Sequence, residues 1–251
     1  MNPFLITCLA GFSTLLGTFL IFKRQYSKQI LITSLGFASG VMMMISIVDL
    51  LPTSFSFLRS SYYVLPALLI LLLFFGIGVL FSLGLNHYLP NLDMSTFNQK
   101  NYHLYRVGIF SCLAIVLHNI PEGMITYITS NQDIRLGLHL AIAIALHNIP
   151  EGISISIPIY YSTGSRRKAL KYTFISAISE PIGAMLALLF LSYFVSDVMM
   201  GVLYAFIGGL MMYIAGCELL PESLSYQKKK VTYSSFFAGC LFMLISHFFF
   251  F

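Results

Sequence analysis

Leu117-His118-Asn119-Ile120-Pro121-Glu122-Gly123 recurs, unchanged, as Leu146-His147-Asn148-Ile149-Pro150-Glu151-Gly152. Each copy lies inside a long apolar run. Two histidines, two asparagines and two glutamates therefore stand where lipid tails would otherwise be, and the surrounding chain reads as the frame that holds the two strings together.

The composition says what that frame is. Of 251 residues, 58% are hydrophobic and only 9% charged, with a mean hydropathy of +0.85. Soluble domains carry about 25% charged residues, so this chain lacks the charge to face water all round. It reads as an all-α integral membrane protein, because in lipid every backbone polar group must be satisfied within its own segment. A span needs roughly 20 apolar residues to cross ~30 Å of hydrocarbon. Hydropathy gives eight, at 4–22, 30–52, 62–86, 106–130, 136–160, 169–194, 198–220 and 232–251, in a single transmembrane domain over 1–251.

Charge tests the count. Lys23, Arg24 and Lys28 follow span 1; Lys100 and Arg106 follow span 3. Arg166, Arg167, Lys168 and Lys171 follow span 5, and Lys228, Lys229 and Lys230 follow span 7. That is twelve of the 14 basic residues, leaving Arg59 and Arg135 for the connections between. Positive loops stay in the cytoplasm, so both termini are expected outside and the first span is expected to be retained. The net charge of +5 is thus a topology signal and excludes nucleic acid as a partner. The four cysteines, Cys8, Cys112, Cys217 and Cys240, fall in apolar runs without CxxC spacing and read as small buried residues. Gly36 and Gly40 in span 2, and Gly208, Gly209 and Gly216 in span 7, read as close helix contacts, since small residues let membrane helices approach.

Acidic residues carry the chemistry. Of nine, Asp49, Glu122, Glu151, Glu180 and Glu218 fall within spans, and Glu222 just past span 7. A carboxylate at the bilayer centre costs at least ~2.5 kcal/mol, and no Lys or Arg lies well inside a span to pair with it. Protons or a metal cation must neutralise these groups. His118 and Glu122 are four apart and share a helix face, as do His147 and Glu151, with each Asn about 100° away. Pro121 and Pro150 withhold a hydrogen bond from the carbonyls of Leu117 and Leu146, opening the helix beside the polar side chains. Each motif lies about 11 or 12 residues into its span, roughly 17–18 Å at 1.5 Å per residue. Since spans 4 and 5 run in opposite directions, both motifs reach the midplane. A pseudo-twofold axis in the membrane plane would relate them, as in inverted-repeat transporters.

Two imidazoles, two amides and three carboxylates, counting Glu180 of span 6, suit Zn²⁺, Fe²⁺, Mn²⁺ or Co²⁺. An intramembrane metalloprotease is the enzyme alternative, but neither string is His-Glu-x-x-His, so no enzyme is expected. Secondary positions are Asp49 and His139, for a cation entering from outside, and Glu218 and Glu222, four apart, for its exit. His247 reads as a packing residue.

These residues resemble the ZIP family of divalent-metal transporters, most closely its bacterial ZupT-type branch. Eight spans, outside termini, the two His-Asn-Ile-Pro-Glu-Gly strings and Ser179-Glu180-Pro181 carry the likeness along nearly the whole chain. The resemblance implies a binuclear centre. His118, Glu122, His147 and Glu151 would hold one metal. Asn119, Asn148 and Glu180 would hold the second, with Glu122 and Glu151 bridging. It also implies metal uptake into the cytoplasm by elevator-like sliding of the central helices, and acceptance of zinc, iron, cobalt and manganese. Many ZIP proteins have a His-rich loop after the third helix; here only His87 and His103 fall there, which argues against metal buffering by that loop. Keeping both His147 and Asn148 is the pattern the family associates with broad selectivity.

The expectation is a multi-pass protein of the cell membrane (the inner membrane if bacterial) that imports divalent metal as cargo, with no prosthetic cofactor. A metal-selective channel, an exporter and a non-transporting metal sensor use the same ligands and stay open, as does a homodimer.

Overall fold

In a computed structural model of the protein, residues 2–22, 27–88, 99–194 and 196–250 are described. Lys23, Arg24 and the polar stretch with Asn91, Asp93 and Asn98 lie outside them, as do the side chains of His87 and Lys100. Among the described residues there is no strand, and eight helices are long and apolar enough to cross a membrane. They are α1 (Pro3–Phe22), α2 (Lys28–Arg59), α3 (Val64–Leu85), α4 (Asn101–Gln132), α5 (Ile134–Thr163), α6 (Arg166–Leu189), α7 (Asp197–Leu224) and α8 (Lys229–Phe249).

The eight helices pack as two bundles. One consists of α1, α4, α5 and α6, the other of α2, α3, α7 and α8. They meet mainly where α5 lies on α2 and, to a smaller extent, on α8, and where α4 lies on α7. The pairings inside each bundle repeat. In the first, α4 lies against α6 as α5 lies against α1; in the second, α2 lies against α8 as α7 lies against α3.

Glycines explain how the second bundle closes. Four Phe-x-x-Gly strings, ending at Gly40, Gly78, Gly209 and Gly239, pair reciprocally. A Cβ on Gly40 would collide with the carbonyl of Phe236, and one on Gly239 with that of Phe37. Gly78 meets the carbonyl of Phe206 in the same way, and Gly209 that of Phe75. Each crossing thus brings two backbones together at two points, close enough for Cα–H···O contacts. Gly208 and Gly216, expected to act like Gly209, do not. A Cβ there would find its nearest neighbours at 3.4 and 3.5 Å, both flexible side-chain carbons. Consecutive helix positions differ by about 100°, and only Gly209 points at α3. Gly209→Ala should therefore destabilise the protein by about 1–3 kcal/mol, the usual range for overpacking, whereas Gly208→Ala should stay within ~0.5 kcal/mol. Thermal melts in detergent with equal losses for both would contradict this crossing.

Four helices depart from regular α geometry. The second half of α1, Ser13–Phe22, is a 3₁₀ helix. The hydroxyls of Ser13, Thr14 and Thr18 each bond the carbonyl three residues back, which favours the tighter winding. A turn at Ile178 divides α6, so Ser179-Glu180-Pro181 opens a new helical segment where a continuous span was expected. π turns interrupt α2 at Ser46–Leu50 and α7 at Ile214–Leu219. The prolines of the repeated strings, by contrast, do not break their helices. Pro121 and Pro150 are carried inside continuous α-helix, and the opening expected beside them is limited to the one withheld hydrogen bond.

Candidate metal centre

Helices α4 and α5 carry the repeated strings side by side, and α6 adds its broken end. His118, Asn119, Glu122, His147, Asn148, Glu151 and Glu180 come together there, and each is at most 7% exposed. Nε2 of His147 lies 2.8 Å from Oε1 of Glu122. Nε2 of His118 lies 3.4 Å from Oε2 of Glu122 and 3.7 Å from Oε1 of Glu151. One ligand atom from each of His118, Glu122 and His147 falls within 4.8 Å of the others, a spacing that admits a shared metal ion. The two imidazole rings are 6.4 Å apart, centre to centre.

The closing glycine of each string has a place in this arrangement. A Cβ on Gly123 would run into the backbone of Glu180, so this glycine lets α6 bring its carboxylate to the centre. A Cβ on Gly152 would run into the carbonyl of Thr14 in α1. The two copies thus use the same residue to admit different neighbours, α6 in one case and α1 in the other.

Asn148 is held from two sides. Its Nδ2 donates to the carbonyl of Ala10, at 3.0 Å, and to Oε1 of Glu180. Its Oδ1 is left buried without a hydrogen bond. The same holds for Nε2 of His118, both amide atoms of Asn119, Oε2 of Glu122, Nδ1 of His147, both carboxylate oxygens of Glu151 and Oε2 of Glu180. Those nine atoms are most of the 15 buried side-chain polar atoms that lack a partner among the described residues. Buried polar groups are ordinarily hydrogen-bonded. Such a cluster, rich in lone pairs and with no Lys or Arg among it, has the chemistry of a cation site.

A cavity of about 160 Å³ leads to this cluster. It opens between the two bundles on the face away from the lysine- and arginine-rich connections. Asp49, Leu50, Thr53 and Phe57 line it from α2, Glu122 and Ile125 from α4, Leu140 and Ile144 from α5, and Tyr204 from α7. Asp49 accepts a hydrogen bond of 3.3 Å from Thr53. His139 is not among the residues that line it; it is exposed and bonded to the carbonyl of Arg135 in its own helix, 2.8 Å away. Glu218 and Glu222 lie at the opposite, basic end of α7, apart from the cluster. His103, expected in a loop, is on the opening turns of α4, and its Nδ1–H donates to Oε2 of Glu222 at 2.7 Å.

A second repeat frames the first. Asp49-Leu50-Leu51-Pro52 and Glu218-Leu219-Leu220-Pro221 sit at the two π turns. In each, the backbone N–H of the second leucine donates to the carbonyl five residues back, Leu51 to Ser46 and Leu220 to Ala215. Such turns often mark functional positions in helices. The acid-Leu-Leu-Pro spacing is the signal for this pair in the sequence.

Residues 93–247 match the family described as ZIP Zinc transporter. The chain is 35% identical to Zinc transporter ZupT of Streptococcus mutans, over 98% of this chain and 96% of that protein. It is 38% identical to Zinc transporter ZupT of Campylobacter jejuni, over 96% and 94%. The protein of the same name from Oceanobacillus iheyensis is 36% identical, over 97% and 96%.

Proposed function

This chain belongs to the ZIP zinc transporter family, and from that premise we propose that it imports Zn²⁺, and with it Fe²⁺, Mn²⁺ and Co²⁺, into the cytoplasm through a two-metal site at the membrane midplane. As a family member it is a multi-pass membrane transporter of divalent metal, and not an enzyme. In a bacterium it would sit in the inner membrane with both termini outside.

The nine buried polar atoms without a hydrogen bond around His118 and His147 carry this reading. Imidazole and carboxylate together suit borderline divalent ions, and no thiolate joins them. His118, Glu122, His147 and Glu151 would take one ion. Asn119, Asn148 and Glu180 would take the second, with Glu122 and Glu151 shared. Because Asn148 spends its amide N–H groups on Ala10 and Glu180, its Oδ1 is the atom left for a metal. A set dominated by oxygen releases its ion more readily than a closed cysteine site, as cargo requires.

Asp49 would concentrate cations at the mouth of the cavity, and Glu218 with Glu222 would receive them on the cytoplasmic side. His139, exposed and bonded within its own helix, drops out of the path. Purified protein in vesicles with an imposed Zn²⁺ gradient tests the direction of flux, and competition by Fe²⁺, Mn²⁺ and Co²⁺ tests the range. Vesicles that bind Zn²⁺ but pass none would overturn the reading. In the same assay Asp49→Asn should raise the KM for Zn²⁺ roughly tenfold at low salt, with Vmax little changed and the difference shrinking as salt is added. An unchanged KM would remove Asp49 from the path.

A further inference from the structure

There is space between the two bundles at both faces, beside Leu20 and Thr33 at the basic one and beside Asp49 at the other, but only the cavity at Asp49 is lined by a residue of the metal centre. On the face away from the basic connections, the cavity between α2 and α4 reaches Glu122. Toward the basic face, the contacts that join the bundles among the described residues include the Phe110 and Tyr213 rings, 6.2 Å apart between α4 and α7, and two sets of side-chain hydrogen bonds. The Tyr161 hydroxyl of α5 donates to the carbonyl of Ser27 at 3.1 Å and accepts from its N–H at 3.3 Å, at the start of α2. His103 of α4 donates to Glu222 of α7 at 2.7 Å.

These two contacts differ in kind. Ser27 offers backbone groups at a helix end that water can also satisfy. Glu222 is a carboxylate only 4% exposed, whereas the His103 side chain is 57% exposed. Glu222 is thus a buried anion held by a donor that can swing into solvent. Its other oxygen, Oε1, is buried without a hydrogen bond. Glu218 and Arg106 stand close by. Tyr226, just beyond α7, leans on the same carboxylate; burial and that neighbouring charge push its hydroxyl above the ordinary pKa. Removing His103 takes away the hydrogen bond that ties Glu222 to α4 and leaves it the Tyr226 hydroxyl, on its own side of the α4–α7 contact. The closed arrangement would lose its main polar tie at that end.

We propose that the His103–Glu222 contact is a latch that keeps the basic face shut while the cavity at Asp49 is open, and that it must release before cargo leaves on that side. This rests on the transport reading above and adds to it the group that times release. While latched, a metal ion at Glu122 meets open water on one side only. Once the α4–α7 contact parts, Glu222 becomes an exposed acceptor in the path on the other.

The test uses the full chain with its four cysteines changed to serine, once that background is shown to take up Zn²⁺ in vesicles. His103→Cys and Glu222→Cys are introduced together and bridged by a short bis-methanethiosulfonate. Uptake by the unbridged double variant, reduced as it will be by the loss of Glu222, is the reference: bridging should abolish what remains, and dithiothreitol should return it to the unbridged level. A third substitution, Thr53→Cys, should still react with a membrane-impermeant maleimide in the bridged protein. Failure of the pair to bridge, or uptake that continues in the bridged protein, would overturn the latch.

A second measurement needs no cross-link. Ser111 is buried, on the face of α4 two turns from His118 toward the basic end. His103→Ala should raise the labelling rate of Ser111→Cys from the basic side about tenfold, the effect of losing one charge-assisted hydrogen bond. No change would count against the latch. Should the parent protein pass no Zn²⁺ at all, the transport reading falls, while bridging and labelling still report on the latch.

Discussion

Glu122→Gln is expected to abolish Zn²⁺ uptake while making the metal-free protein harder to unfold. The two effects share one cause. Glu122 lies between both histidines, 2.8 Å from His147 and 3.4 Å from His118, and is nearly excluded from water. Keeping an ionised carboxylate there costs at least ~2.5 kcal/mol at the bilayer centre. Glutamine has the same shape and keeps an oxygen for the His147 N–H, so its substitution removes that cost without opening a hole. It also removes a charged ligand shared by both proposed metal positions. Even partners one shell out from a metal typically cost 10–100-fold when lost, so the loss of uptake here should be about 100-fold or more. Melting curves separate the effects. Saturating Zn²⁺ should stabilise the parent protein, by about 2.7 kcal/mol at 100 times its Kd, and should leave Glu122→Gln unmoved. Uptake within about twofold of the parent would sink the site. So would a zinc-dependent rise in melting temperature equal to the parent's.

That experiment targets the feature most legible in the sequence. Two identical polar strings in apolar runs have no packing explanation, and the helical spacing of His118 and Glu122 follows from 3.6 residues per turn. The eight helices were equally open to reading, because hydrocarbon thickness and buried backbone leave little choice of element. Other features left weaker traces. Gly208 and Gly209 are neighbours of one type, and which of them meets α3 depends on a rotation that a uniformly apolar helix does not record, since it has no polar face. The His103–Glu222 contact joins residues 119 apart in the chain. One of the two sits at a boundary where hydropathy falls away before the helix does, so His103 reads as loop. The π turns shift the helical register by one residue, and a hydropathy window averages over that shift.

The repeated His-Asn-Ile-Pro-Glu-Gly strings place an inversion in the first bundle, and the reciprocal glycines with the acid-Leu-Leu-Pro pair place the same one in the second. In the first bundle it relates α4 to α5; in the second it relates α2 to α7. The symmetry has a physical use. If one face of the molecule can open a cavity to Glu122 beside Asp49, the related elements give the other face the means to open one beside Glu218 and Glu222. The present asymmetry then lies in which contacts are made, with His103 bonded at one end and the cavity beside Asp49 at the other.

The second large effect is expected from the glycines that end the two strings. Gly123→Ala should reduce Zn²⁺ uptake by about 10–100-fold, and Gly152→Ala by a similar factor, though neither adds or removes a metal-binding atom. A methyl on Gly123 would overlap the carbonyl of Glu180, and one on Gly152 the carbonyl of Thr14. Both obstacles are backbone, so no rotamer change relieves them, and the neighbouring helix must move. For Gly123 that helix carries Glu180 and, through it, the grip on Asn148. For Gly152 it is α1, whose Ala10 carbonyl is the other grip on Asn148. A displacement of about 1 Å in a positioned site can cost on the order of 100-fold, and the two substitutions pull on the same amide from opposite sides. Alanine itself is no liability in a helix, where it is favoured over glycine by about 1 kcal/mol. Gly76→Ala and Gly84→Ala, on α3 where a Cβ meets nothing within 4 Å, supply the comparison. They should match the parent in uptake and melt at the same temperature or a few degrees higher. If all four variants behave alike, the close approach of α6 and α1 to the paired strings is wrong, and with it the account of how Asn148 is aimed.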